Sequence, residues 1–392
     1  MMRILYFFPD NITEQNAGNK TRALYLLKYF SQNGFIVDYV SIRDEKAGKN
    51  YNEQTEEILK AGNLASNVYL LPRKQGKTNP IVYFLRYKLW DLLYYLITYP
   101  LRSNIPTYLT LALKKAFKNI LRTNTYDYII ISYVHSADLI ADTALLGGAK
   151  TIIDTHDFLT AQFKDKRDFN LGVTFEDEIS RLNLFDEIWA ISPEEEYVFN
   201  QFCTSRVRLV PMMMDAPASA LTPFKNKKYD LIYVGNDNIH NIISIKWFFD
   251  KVYPLLPAGL NLCVIGKINN HVTEAYNSIN KILFAESLES FYNDSKIAIC
   301  PMLRGTGVKV KVVEALAFGL PVVCTSRGTD GLPNKQSNGC LVSDDPVKFA
   351  ENIISLLQDA SLYEEQSRLA KDTFKNSFDK SVTFKILDNV FE

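Results

Sequence analysis

The residue types best suited to chemistry crowd into one stretch, residues 300–331, which reads CPMLRGTGVKVKVVEALAFGLPVVCTSRGTDG. A strand-like run ends at Cys300-Pro301, and a short loop, Arg304-Gly305-Thr306-Gly307-Val308, leads into a helical pattern carrying Lys309, Lys311 and Glu314. The pattern closes at Gly319, before the next strand opens at Pro321. Two glycines ahead of a helix let backbone N–H groups approach an anion, and the helix dipole favours a phosphate there. Arg304, Lys309 and Lys311 add positive charge, and the carboxylate of Glu314 can accept two hydroxyl hydrogen bonds, as a ribose offers. The same spacing also suits a plain loop followed by a solvated amphipathic helix.

The four histidines are scattered at 135, 156, 240 and 271 and form no zinc-type cluster. His156 follows the strand-like run at 151–154, with Asp154 and Asp157 beside it, which puts an imidazole at the carboxyl end of a strand. His135 also lies just past a strand-like run. His240 either caps a helix starting near Asn241 or faces the anion loop, and His271 reads as surface. The five cysteines, Cys203, Cys263, Cys300, Cys324 and Cys340, include no C-x-x-C pair and read as buried free thiols in a reducing compartment.

Something must hold these groups in place, and the hydrophobic pattern names it. Short apolar runs at 3–8, 35–42, 67–71, 126–132, 151–154, 187–191 and 207–210 alternate with amphipathic stretches, the first of them at 19–33 and ended by Gly34. Residues 215–228 lapse into a linker composition. A second series follows, with apolar runs at 229–234, 261–265, 282–284, 297–300 and 321–324, and helices finish the chain from about 347. Strands alternating with helices predict an α/β architecture of two parallel, doubly wound sheets. Ligands of such sheets bind beyond the strands' carboxyl ends, so two units facing one another bring two substrates together.

With 392 residues the chain suits two domains of roughly 150–200 residues. Lysine plus arginine and aspartate plus glutamate each number 44, a balance that argues against nucleic acid as a partner. The N-terminus, MMRILYFFPD, runs straight into a strand without the apolar core of about 7–15 residues that a signal peptide needs. No run of about 18 apolar residues suggests a membrane span. The expected location is therefore the cytoplasm, free or peripheral on the cytoplasmic face of the membrane. Neither first βα loop, 9–18 or 235–240, carries G-x-G-x-x-G, and no G-x-x-x-x-G-K-[ST] occurs, so the dinucleotide and P-loop readings lack their signatures.

Residues 80–122 stand apart. They carry Arg86, Lys88, Arg102, Lys114, Lys115, Lys118 and Arg122 against a single acid, Asp91, and are rich in aromatics. A basic, aromatic, amphipathic stretch suits an anionic membrane surface; a pair of domain helices with core aromatics is the other reading.

Read together, the motifs resemble the retaining GT-B glycosyltransferases of family four, the group-1 transferases. The run K-V-V-E-A-L-A-F-G-L-P-V-V looks like their donor-site helix, and Val210-Pro211-Met212-Met213-Met214-Asp215 resembles their V-P-N-G-V-D interdomain element. Tyr233-Val234-Gly235, Val264-Ile265-Gly266 and Thr155-His156-Asp157 resemble F-V-G, I-V-G and H-D elements in the same order.

The resemblance implies a GT-B fold. The N-terminal Rossmann-like acceptor domain would cover 1–205, a linker 206–228 and the donor domain 229–365, with helices at 366–392 returning to the first domain. It implies transfer of a sugar, with retention, from a nucleotide-diphosphate donor to a glycan or lipid-linked acceptor in bacterial surface polysaccharide assembly. No cofactor or metal is expected. Glu314 would bind the ribose, and Gly18, Gly235, Arg304, Lys309, Lys311 and the backbone of Gly305, Thr306, Gly307 and Val308 the donor. His156 would sit near the transferred sugar, and the strand end at 284–288, with Glu286 and Leu288, near the base.

Three departures stand out. The first glutamate of the family's Glu-x7-Glu pair is Thr306 here. The usual Arg and Lys after F-V-G are absent from Gly235-Asn236-Asp237-Asn238-Ile239-His240-Asn241. The N-terminal Gly-Gly is Ala17-Gly18. They leave open a catalytically degenerate binding or scaffold protein, or a nucleotide-sugar epimerase on the same fold.

Overall fold

The computed structural model describes every residue except 14–17, 44–48, 74–78, 101–102, 219–220 and 273–278, and gives only the backbone of 49–52. Ala17 thus lies outside the described residues. The chain divides into two compact units, Met1–Val210 and Pro211–Glu392.

Seven parallel strands form the sheet of the first unit: β1 (Arg3–Phe7), β2 (Ile36–Ile42), β3 (Asn67–Leu71), β4 (Tyr128–Ser132), β5 (Lys150–Asp154), β6 (Glu187–Ala190) and β7 (Arg206–Leu209), in the order β3-β2-β1-β4-β5-β6-β7. Arg206–Leu209 pairs with β6, so the irregular connection begins after Val210. The helices are α1 (Gly18–Gln32), α2 (Lys49–Ala61), α3 (Pro80–Tyr83), α4 (Leu89–Thr98), α5 (Leu111–Thr123), α6 (Leu159–Phe163), α7 (Leu171–Leu182) and α8 (Pro193–Phe202), with a π turn over Phe84–Lys88 between α3 and α4. The alternation of side chains along a strand splits the core in two. Leu5, Phe7, Ile129, Ile131 and Ile153 pack with Leu113 and Phe117 of α5. Tyr6, Ile130, Ile152 and Trp189, on the other parity, are fully buried as well.

The second unit repeats the plan with β8 (Tyr229–Val234), β9 (Leu262–Ile265), β10 (Ile279–Ile282), β11 (Ser295–Cys300), β12 (Val322–Cys324) and β13 (Cys340–Val342), ordered β10-β9-β8-β11-β12-β13 and all parallel. Its helices are α9 (Ile239–Trp247), α10 (Glu289–Asn293), α11 (Val310–Ala317), α12 (Pro346–Gln358), α13 (Ala360–Ser377) and α14 (Lys380–Phe391). Ile232, Cys263, Ile265, Ala298 and Cys300 face α11 and α13, whereas Leu231, Tyr233, Val264, Ile297 and Ile299 face α9 and α12. Residues 366–392 cluster with this unit. The five cysteines are free thiols.

Two expectations shift. The apolar run at 282–284 is the end of a strand rather than its body: β10 stops at Ile282, and Leu283 and Phe284 are 61% and 79% exposed. β13 carries only three residues, too few to show an alternation in sequence.

In each unit the strand order reverses beside the first strand, between β1 and β4 and between β8 and β11. The loops leaving those two strands diverge and open a crevice at their carboxyl ends. In the second unit the crevice floor is tight. Gly266, just past β9, has φ +106, and a Cβ there would lie 2.3 Å from the carbonyl oxygen of Gly235. Ile268 N donates to that same carbonyl at 3.2 Å. Gly266→Ala should therefore lower the unfolding free energy by about 1–3 kcal/mol, read from urea denaturation; an unchanged midpoint would show that the β8 and β9 loops have room to separate.

Candidate functional site

In the second unit the loops after β8 and β11 meet. Asn238 caps α9 by accepting from Asn241 N at 2.9 Å. The Asn241 amide is then fixed at both ends: its Nδ2 donates to Asn236 O at 2.9 Å, and its Oδ1 accepts from Lys311 Nζ at 2.9 Å. Lys311 also lies over the Tyr233 ring, 4.6 Å from its centroid. Ser244 Oγ donates to His240 O at 2.6 Å and accepts from Leu303 N at 3.2 Å, which ties the start of the glycine loop to α9. Gly305 comes under the His240 ring, where a Cβ would sit 3.7 Å from His240 Cγ. His240 and the loop are thus brought together.

The loop keeps its shape by two devices. Gly305 and Gly307 take φ of +97 and +73, which only glycine adopts at little cost. The ammonium of Lys309 turns back under the loop and donates to Gly307 O at 2.7 Å and Thr306 O at 3.1 Å, 3.9 Å from Asp330. The two lysines therefore have different places: Lys309 braces the loop from beneath, and Lys311 stands where the two loops converge. Arg304 is exposed at the loop's entrance. Thr306 Oγ1 is buried with no hydrogen-bond partner among the described residues. No side chain caps α11, so its first turn offers backbone N–H groups to the loop's side.

Glu314 accepts from Tyr292 Oη at 2.8 Å through Oε2, and Tyr292 is held by stacking on Phe318 at 5.5 Å. Burial pushes the Glu314 carboxyl up to about 7, against the Tyr292 hydrogen bond and the Lys311 charge, which pull it down. Burial also lowers the Lys311 ammonium from its ordinary value. Glu286 and Leu288 lie in the loop between β10 and α10, Glu286 exposed and Leu288 partly buried.

The first unit has its own constellation at the corresponding strand ends. His156 stacks on Tyr133 with ring centroids 4.3 Å apart, His135 stacks on the same ring at 4.9 Å, and Phe8 lies 5.8 Å from His156. Tyr133 and His156 both take left-handed φ, +70 and +62. For non-glycine residues such backbone strain persists only where the surroundings enforce it, and it marks functional sites. Beside them lies an ion pair with no exposed side-chain surface. Arg22 grips Asp154 with Nε at 2.9 Å and a terminal nitrogen at 2.7 Å, and its other nitrogen donates to Val210 O at 2.8 Å. Burial alone would raise the Asp154 carboxyl, but Arg22 and His156 hold it well below the usual range.

His156 Nε2 is 3.0 Å from Asp154 Oδ2, at ion-pair distance without hydrogen-bond alignment, and its Nδ1 is buried with no partner among the described residues. Burial, with Arg181, His156 and Arg73 nearby, pushes His135 down to about 3, so it is neutral at ordinary pH. Asp157 is half-buried; burial first, and then the Asp157 charge, raise both Tyr133 and Glu195, the latter to about 8. Gly18 opens α1, and its neighbour Asn19 donates to Tyr133 Oη at 2.7 Å.

Sequence spacing did not reveal Arg22, Tyr133, Asn241 or Tyr292. Arg22 alone left a trace, as a cation among the apolar positions of an amphipathic helix.

The family model described as glycosyl transferases group 1 matches residues 228–359, the stretch holding every second-unit residue of this candidate site. The second unit is thus similar to the group 1 glycosyl transferases over that stretch. The whole chain has the GT-B fold: it superposes on TarM with a TM-score of 0.71 at 12% identity, covering 100% of this chain and 99% of that one. Sucrose-phosphate synthase from Thermosynechococcus elongatus gives 0.70 at 14%, covering 100% and 98%. Anabaena HepE in complex with UDP-glucose gives 0.69 at 12%, covering 100% and 99%. A Klebsiella pneumoniae protein described as an uncharacterized 44.6 kDa protein in cps region is 24% identical over 428 positions, with 100% of both chains covered.

Within this GT-B chain the Arg22–Asp154 pair is the one whose loss should be felt most. Arg22→Met leaves a carboxylate buried without its main partner and should cost about 3–5 kcal/mol by denaturant unfolding. Arg22→Met combined with Asp154→Leu should recover part of that loss; a single variant of wild-type stability would show that the pair is not needed to hold the strand ends.

Proposed function

We propose that this chain is a retaining glycosyltransferase that moves a sugar from a nucleotide-diphosphate donor to a glycan or lipid-linked acceptor. The setting is bacterial surface polysaccharide assembly, at the cytoplasmic face of the membrane. The carrying observation is the placing of Glu314, bonded to Tyr292, and Lys311, bonded to Asn241, on one helix at the strand-order reversal of the group 1 domain, beside a two-glycine loop and an uncapped helix start. The cps-region relative supports the pathway, and the UDP-glucose carried by Anabaena HepE supports the donor class.

Ionised Glu314 accepts the ribose hydroxyl hydrogens, with Tyr292 holding one carboxylate oxygen in place. The backbone from Gly305 to Val308, closely approached through Gly305 and Gly307, receives the diphosphate. Lys311 and Arg304 stabilise the charge that grows on it as the bond to the sugar breaks. Lys309 keeps the loop in register, Gly235 and His240 line the donor from the loop after β8, and Gly18 is the first unit's candidate donor contact. The sugar's anomeric carbon exchanges its bond to the leaving phosphate for one to the acceptor oxygen on the same face. The acceptor's proton passes to the leaving phosphate oxygen. No metal enters this scheme, because side-chain cations supply the positive charge. Glu286 and Leu288 lie near the base and His156 beside the transferred sugar, flanked by His135 and Asp157. The unpartnered hydroxyl of Thr306, standing where a carboxylate is usual, remains to meet a sugar hydroxyl.

That replacement also favours a second reading, a binding protein that keeps the nucleotide site without turnover. Thermal shift against UDP, GDP, ADP, CMP and their sugars separates the two readings from a chain that binds none. Saturation at a hundredfold over Kd should stabilise by about 2.7 kcal/mol, and Glu314→Ala should remove the effect. Binding without transfer to any acceptor supports the second reading, and no stabilisation by any nucleotide defeats both.

The raised carboxyl gives a pH signature. Glu314 must lose its proton to accept hydroxyl hydrogens, so affinity for a nucleotide sugar, whose diphosphate diester does not titrate here, should rise with pH through about 7. The rise should be absent in Glu314→Gln; a flat wild-type profile would remove Glu314 from the ribose contact.

A further inference from the structure

The segment from Pro80 to Thr98 is one helical rod, α3, the π turn and α4, about 28 Å long. It starts at Asn79, whose side chain accepts from Ile81 N and Val82 N. None of its residues is fully buried. Its orientation is the reverse of an ordinary surface helix. The partly buried side is made of Tyr83, Tyr87, Leu89, Asp91, Tyr94 and Tyr95. Tyr94 Oη donates to Asp138, and Asp91 accepts from Leu111 N at 2.8 Å. Most aliphatic side chains and the indole point away: Ile81, Leu85, Trp90, Leu92, Leu96 and Ile97 are 46–85% exposed. A contiguous apolar edge of this kind has a partner.

Charge selects the partner. Lys114 and Lys118, which lent the sequence its basic character, are spent on Asp138 and Asp142 within the unit. Arg86 and Lys88 on the rod itself remain exposed, and its one acid, Asp91, already receives the Leu111 N–H. Beneath the rod lies a cavity of about 200 Å³ lined by Arg73, Tyr83, Arg86, Tyr87, Trp90 and Asp91, with the start of α5 behind them. Arg73 Nε is buried there with no partner among the described residues, and its guanidinium lies 5.1 Å from the Tyr108 centroid. A second copy of the chain would bring like charges together at this edge, whereas an anionic lipid surface meets apolar edge and cations alike.

We propose that the rod lies in the plane of an anionic bilayer with its aliphatic edge inserted, and that the Arg73–Arg86 cavity takes the phosphate of a lipid headgroup. This deepens the lipid-linked acceptor reading but rests on the first unit alone, and its test needs no turnover.

The full chain should sediment with vesicles of equimolar phosphatidylcholine and phosphatidylglycerol and far less with phosphatidylcholine alone. Trp90 emission should shift to the blue on binding, a change lost in Trp90→Phe. Leu85→Glu with Ile97→Glu, both at exposed positions and expected to keep the thermal midpoint, should abolish sedimentation. Arg73→Gln and Arg86→Gln should each weaken partition about fivefold. Inorganic phosphate at matched ionic strength should not release the bound protein.

Equal binding to neutral vesicles, or unchanged partition in both arginine variants, overturns the headgroup site, and release by phosphate assigns the cavity to a free anion instead. Failure to sediment while UDP still stabilises the chain overturns the membrane proposal and leaves the donor reading intact. A wild-type dimer dissolved by the glutamate variant overturns it in favour of self-association.

Discussion

A parallel sheet that grows in both directions from its first strand cannot close over that strand's carboxyl end. The crossover helices leave to opposite faces, and the two loops that part there enclose a crevice whose walls are backbone. Everything chemical in this protein follows from that constraint, met twice. In the second unit the crevice receives the glycine loop, Lys311 and Glu314; in the first it receives the Tyr133 stack with its two histidines. The two solutions differ in kind. The second unit shapes its crevice with glycines and ties its two loops with Lys309 and Lys311. The first forces two bulky residues into left-handed backbone and holds the strand ends with a buried guanidinium–carboxylate pair.

A buried pair of that sort is a costly way to stabilise a fold, since two apolar side chains of similar size would often do as well. Its value lies in position. Arg22 joins α1, the end of β5 and the carbonyl of Val210, the last residue of its unit, so three separate stretches of chain are fixed relative to His156. The surrounding carboxyls show how dry the region is: burial raises Glu178 to about 7 and Glu195 to about 8, even though Glu178 accepts from Thr160 N and Leu159 N.

Much of the architecture was legible because a buried parallel strand and an amphipathic helix leave opposite signatures. The runs at 3–8 and 229–234 and the helix ended by Gly34 needed no context. Three-residue β13 and the frayed end of β10 were not legible, because so few residues carry no period. In the site, residue types were informative and directions were not. The sequence placed Lys309 and Lys311 together; only the structure shows that one ammonium folds under its own loop while the other reaches across to Asn241. Spacing cannot distinguish these, since both residues lie at the same turn and differ in where their flexible stems go. Tyr292 escaped notice for a related reason: its hydroxyl serves Glu314 from a neighbouring segment with no motif of its own. The basic stretch at 80–122 sums charges of different fates: Lys114 and Lys118 are spent on Asp138 and Asp142, whereas Arg86 and Lys88 stay exposed.

The π turn at Phe84–Lys88 has a meaning in the language of mutation. An α-helix advances about 100° per residue, and a π turn holds one residue more than the α turn it replaces. A single residue removed there would close the π turn to an α turn and leave Trp90 through Ile97 facing nearly as they do now. A residue lost between Leu89 and Tyr94 finds no such slack and would turn everything beyond it by roughly 100°, taking Tyr94 and Tyr95 off the domain. The π turn is thus a reserve of one residue. A lost codon between 84 and 88 is absorbed by the helix, while the same loss a turn later is one that selection can see.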